Sequence, residues 1–139
     1  MGPNDVELVR AFTRQPAGAT ADVTFAVNQP FQVIVEAEAG AAYMLGGALV
    51  NATYQVGVTV RDLTDGSTIP VTAPIDASGT IPATWTNAPA RSFTFNVAAQ
   101  PQAKADHCLE VLAFLRVLPP ATIIPDVSFV TSPLFIIHP

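Results

Sequence analysis

Asp106, His107 and Cys108 stand in a row, and a second histidine, His138, lies next to the C-terminal proline. A thiol nucleophile needs a histidine that lowers its pKa and orients it, so this is the first place to look for catalysis. Neighbours on a strand point to opposite faces, however, and in a strand His107 and Cys108 would not meet. A structural cysteine buried at a strand start is the plainer reading. Metal chemistry fares no better, because Asp106, His107, Cys108 and His138 contain no ligand pair at zinc-site spacing. Glu36 and Glu38 share a strand face, and Asp62 and Asp65 flank a turn, yet no calcium loop rich in Asp and Asn follows. They read as solvated-face and turn residues. There is also no phosphate-cradling glycine loop and no nucleophile elbow. Trp85, between Thr84 and Thr86, serves either as a core anchor or as a recognition aromatic, and core is the default for so large a side chain. The expectation is a chain with no catalytic residue, no cofactor and no metal, hence not an enzyme.

The composition narrows the partners. The chain has 139 residues, a length that fits one domain, and its first four residues are expected to be loose. Half of the residues are hydrophobic and only 12% are charged, about half the usual share, so few charges remain to cover the outside. Six basic residues against eleven acidic ones give a net charge of −5 and no cationic stripe. Nucleic acid and anionic membrane surfaces are therefore poor partners. No leader-like apolar segment opens the chain, and the apolar stretch at Ala39 to Val50 is too short to span a bilayer. One cysteine allows no internal disulfide. These points favour a reducing, cytoplasmic setting, and chance is the better explanation for the Asn51-Ala52-Thr53 glycosylation pattern.

The elements that would have to position any site are strands. Phe31, Val33, Val35 and Ala37 alternate with Gln32, Glu36 and Glu38. Tyr54, Val56, Val58 and Val60 alternate with Gln55, Thr59 and Arg61, and Phe93, Phe95 and Val97 alternate with Ser92, Thr94 and Asn96. Val23, Phe25 and Val27 repeat the pattern. Asp65-Gly66 marks a hairpin turn and Asp76 to Gly79 marks another. Thirteen prolines scattered between apolar runs would break helices nearly everywhere. His107 to Leu118 also fits a helical face, but Leu109, Val111, Ala113, Leu115 and Val117 form an unbroken alternation, so a strand is expected with a helical turn as the alternative. Pro133 removes a ladder donor and must sit at an edge, a bulge or a crossing between sheets; a strand that changes sheets would explain it. The fold class is all-β, an antiparallel two-sheet sandwich with little or no helix.

The four segments beginning at Phe31, Tyr54, Arg91 and Cys108 resemble the B, C, E and F strands of the immunoglobulin-like β-sandwich superfamily, over residues 20–139. The Cys-Trp-Cys core of antibody domains is missing, since Cys108 has no partner and Trp85 lies past the candidate C strand. The resemblance implies a sandwich and no particular activity, because such sandwiches serve many functions.

The apolar loop at Ala39 to Val50 either folds back over one end of the core or is buried by another chain. Ile34 on an otherwise polar face, Leu112 and Phe114 on the second face of their strand, and the doubly apolar run Leu134 to Ile137 favour burial by a partner. The expected function is thus an interaction or assembly module that self-associates or docks into a larger complex. Its expected interface is Tyr43, Met44, Leu45 and Leu49, with Leu134, Phe135, Ile136 and Ile137 as a C-terminal edge. The alternative is a sandwich binding a small apolar ligand beneath the 39–50 loop as a lid. An enzyme using His107 and Cys108 ranks third.

Overall fold

In the computed structural model, which describes residues 6–16, 18, 20–39, 52–77, 91–118 and 126–139, ten strands form two sheets. The smaller sheet runs β1(Val6–Arg14), β3(Phe31–Ala39), β7(Arg91–Val97), all antiparallel. The larger is built on β4(Thr53–Asp62) and β8(Cys108–Leu118), which pair without interruption over the whole of β4. On the far edge of β4 lie β5(Thr68–Ile69) and β6(Ile75–Asp76), and on the far edge of β8 lie β9(Asp126–Thr131) and β10(Phe135–His138). The short strand β2(Thr24–Ala26) adds to β10 in parallel. Among the described residues the only helical element is a 3-10 turn at Gln102–Lys104. The all-β sandwich expected from period-two alternation is therefore the observed fold, and Cys108–Leu118 is a strand.

Alternation also sets the core. Val33, Val35, Phe93, Phe95 and Val97 of the small sheet face Val56, Val58, Val60, Leu109, Val111, Ala113, Leu115 and Val117 of the large one, all buried. The two edge positions of the large sheet are each broken by proline, which cannot donate to a ladder. Pro70 and Pro74 separate β5 from β6, and Pro133 separates β9 from β10. Pro133 does not mark a change of sheet, since β9 and β10 both pair with β8. Leu112 pairs with Thr131 but Leu109 pairs with Phe135, so Ser132, Pro133 and Leu134 stand opposite only Glu110 and Val111. This is a bulge. Ser132 repairs the ladder there: its N–H donates to the Val111 carbonyl at 3.0 Å, and its hydroxyl oxygen accepts from the Val111 N–H at 3.0 Å. Both residues are buried. Ser132→Ala is expected to cost about 1–3 kcal/mol, the desolvation of an orphaned buried N–H; a urea midpoint equal to that of the parent protein would show that the hydroxyl is dispensable.

The small sheet closes its own outer face. Ile34, expected to need a partner, is only 2% exposed, flanked across the ladder by Phe12 and Thr94. The Arg10 guanidinium lies 4.5 Å over the Phe12 ring and forms two 3.0 Å bonds to the Glu36 carboxylate. Arg14 donates to Gln32, which donates to Asn96, so one polar chain spans all three strands. This face is completed by side chains of the same chain.

Candidate functional site

The outer face of the large sheet has the opposite character. Residues that are strand partners point to the same side, so pairing reads off a row across the sheet: Phe129 on β9 opposite Phe114 on β8, Phe114 opposite Gly57 on β4, and Gly57 opposite Ile75 on β6. Gly57 has a specific purpose in this row. A Cβ at that position would come within 2.2 Å of the Phe114 ring, so only glycine lets the ring lie flat across β4. Phe129 is 65% exposed and Ile75 54% exposed. Leu112, Val127, Leu134 and Ile136 add further exposed apolar side chains. Beside Phe114 the sheet dips into a recess of about 390 Å³, whose walls include Val58, Thr59, Ile69, Pro70, Pro74 and Ile75. No charged side chain lines it. Single exposed apolar residues are ordinary, whereas these stand in one row across four strands.

Of the residues expected at an interface, only the C-terminal four are described. Tyr43, Met44, Leu45 and Leu49 lie outside the described residues, as do Trp85 and residues 40–50 of the loop. The C-terminal strand is not an edge, because β10 is paired on both sides by β2 and β8. Phe135 and Ile137 turn into the core, at 0% and 1% exposure, and are closed to a partner in the folded chain. Leu134 and Ile136 are exposed. Alternation within β10 thus splits the expected set in two. Phe129, Val127, Gly57 and Ile75 were not singled out from sequence. The signal was there in part: Gly57 sits on the outward register of β4 where a bulky neighbour on the next strand needs room.

The residues considered for chemistry gather differently from their order in the chain. Asp106 has a left-handed backbone, φ 66°, and its N–H donates to the Ile137 carbonyl. His107 instead meets Asp62, with Nδ1 2.6 Å from Asp62 Oδ2. His138 ends β10 beside Asp106, whose N–H bonds the preceding residue Ile137, and its own ring contacts the Pro139 carbonyl. Asp62, Asp65 and His107 bring three possible ligand atoms within 4.8 Å of one another, as a cation site would. Lys104 occupies that position itself. Its ammonium donates to Asp62 Oδ2 at 2.9 Å, Asp65 Oδ2 at 2.8 Å and Ser67 Oγ at 2.9 Å. The remaining Asp62 oxygen accepts the Thr64 and Asp65 N–H groups, and Gly66, φ 79°, completes the turn. The Cys108 N–H donates to Thr64 Oγ1 at 2.9 Å. The arrangement ties the β4–β5 turn to the start of β8; it is a clamp with its own internal cation.

Burial raises the Asp62 carboxyl, but hydrogen bonds from His107, Lys104 and two backbone N–H groups outweigh it and hold the group below its usual range. Lys104 and Ser67 hold Asp65 well below that range. Asp65 and Asp62 in turn raise Lys104 above its ordinary 10.5. The signs give a window. Depressed carboxylates contribute stability that is present above their unfolded value of about 4 and lost as pH falls through the folded values. A raised lysine contributes below its ordinary value and loses that as pH rises past the folded one. The clamp therefore holds between roughly pH 5 and 10 and fails at both ends. Denaturant midpoints should fall below pH 4, and Lys104→Met should flatten that fall; an identical acid limb in the variant would contradict the clamp.

Among the described residues no helix is long and apolar enough to cross a membrane. No protein family matches this chain, and no curated protein matches it.

Proposed function

We propose that this chain is a non-enzymatic interaction and assembly module, and that its working surface is the outer face of the large sheet. The observation that carries this reading is the uncharged row Phe129, Phe114, Gly57, Ile75, exposed at both of its ends on one sheet while the other sheet closes its own face with Phe12, Arg10 and Glu36. The clamp does not compete as a cation site, because Lys104 fills the place of an exogenous cation. Assignment to the immunoglobulin-like sandwiches belongs to the same proposal. It is supported by the partition of the strands, since β3 and β7, matched to B and E, share one sheet while β4 and β8, matched to C and F, are neighbours in the other.

The test is the size of the native protein in an extract of its own source. It is expected to migrate well above the 14.6 kDa of the chain, and Phe129→Glu should return it to the chain mass while leaving thermal stability within about 0.5 kcal/mol, as for an exposed position. A chain-sized species before substitution, or a complex indifferent to it, would defeat the reading.

The 390 Å³ recess favours a second reading, binding of a small apolar molecule, because its volume falls in the range of ligand pockets. It lies on the outer face and not between the sheets. A thermal shift with indole in a protein that stays monomeric would support it.

A further inference from the structure

Resting on the proposed docking face, we infer that its occupant is the same face of a second copy, with Phe129 of each copy seated in the recess of the other. Knob and recess stand on one face and are offset across the strands. Phe129 projects from β9, and the recess lies over β4 and the β5–β6 edge, two to three strand positions away, or about 12 Å at the usual strand spacing. A two-fold axis parallel to the strands, lying just above the face and midway between knob and recess, runs over β8. Such an axis brings each Phe129 onto the partner's recess at once, which is what a self-complementary, closed interface requires. Leu112 and Phe114, on the outer side of β8, then meet their own copies near the axis.

Size agrees with this occupant. A single ring fits an apolar cavity of ~150 Å³, so about 390 Å³ admits the Phe129 ring together with part of its neighbours. The face itself is large enough. Ten residue pairs along β4 and β8 extend about 33 Å over two strand widths of ~4.8 Å, and six pairs on β9 with four on β5 and β6 add roughly half as much again. That gives on the order of 500 Å² in projection, which side-chain relief carries towards the ~800 Å² per partner of a stable interface. Sheets packed face to face at ~10 Å are the ordinary geometry for such a contact.

The experiment is sedimentation equilibrium on the purified full chain up to about 1 mM, the weak end of measurable association. Four proteins are compared: the parent, Phe129→Glu, Ile75→Arg, and Val23→Glu, whose exposed position lies off the face. The parent and Val23→Glu should reach twice the chain mass. Phe129→Glu and Ile75→Arg should each weaken the dimer by roughly 30-fold or more, the loss expected for a central anchor. Mixing these two variants should restore a dimer, because the two-fold arrangement sets the new acid of one against the new base of the other and leaves a native contact at the second site. A parent that is monomeric throughout overturns the inference, as does a dimer indifferent to Phe129→Glu, or a mixture that fails to recover while both variants are folded by circular dichroism. A monomeric purified parent alongside a Phe129-dependent complex in extract would leave the docking reading standing and remove only the second copy.

Discussion

Asp62→Ala is expected to lower the free energy of unfolding by roughly 3 kcal/mol, the range for removing one partner of a buried ion pair. The Asp62 side chain has no exposed surface, and its two oxygens engage Lys104, His107 and the N–H groups of Thr64 and Asp65. Removing it leaves His107 without its partner and opens a void at the end of β4, where the chain turns away from the sheet. Asp62→Asn should cost less, because the amide oxygen can still accept from the Thr64 N–H while the charge is lost. The cost should also depend on Lys104. In a double-mutant cycle, Asp62→Ala with Lys104→Met should destabilise by less than the sum of the two single changes, since the second removal finds its partner already gone. Additivity would mean that the lysine and the carboxylate act independently, and a loss from Asp62→Ala under about 0.5 kcal/mol, the level of an ordinary surface change, would mean the clamp contributes nothing.

This clamp was half visible in the sequence. Asp62 and Asp65 were recognisable as turn residues, and His107 as a possible functional group, but their meeting depends on the β4–β8 register, which places Asp62 opposite Leu109. Register between strands separated by more than forty residues is not written in either segment alone. The strands themselves were legible wherever alternation ran unbroken, as at Phe31 to Ala37, Tyr54 to Val60 and Leu109 to Val117. β1 was not. A register shift between Leu8 and Arg10 leaves Val9 and Arg10 both exposed, with Leu8 and Ala11 buried on either side. Two consecutive outward residues erase the period of two. The bulge at Ser132 had the same effect, and Leu134 to Ile137 is apolar on both sides because its outward residues, Leu134 and Ile136, are apolar as well as its buried ones. The apolar row was largely hidden for a different reason: its members come from four separate segments, and only Phe114, apolar on the second face of its strand, stands out.

Phe135→Ala is expected to be among the most damaging single changes, at about 3–5 kcal/mol. Phe135 is fully buried where the two sheets meet. Its ring packs edge-on against Phe31 at 5.3 Å and Phe25 at 6.0 Å, and those two rings stack at 4.8 Å. Phe31 belongs to the small sheet, whereas Phe25 and Phe135 belong to the large one, so truncation opens a cavity across the seam that joins them. Edge-to-face pairs add to the area term, and Phe135→Leu, which keeps most of the volume but loses the ring geometry, should fall well short of the alanine loss. The neighbouring residue separates the two roles that the sequence alone had merged. Ile136 points outward from the same strand at 45% exposure, so Ile136→Glu should leave unfolding free energy within about 0.5 kcal/mol. Equal losses at both positions would contradict the alternation of β10, and a mild Phe135→Ala would contradict the aromatic seam. The intended contrast is a large loss at 135 beside a small one at 136, because only a strand with one face in the core and one in solvent produces it.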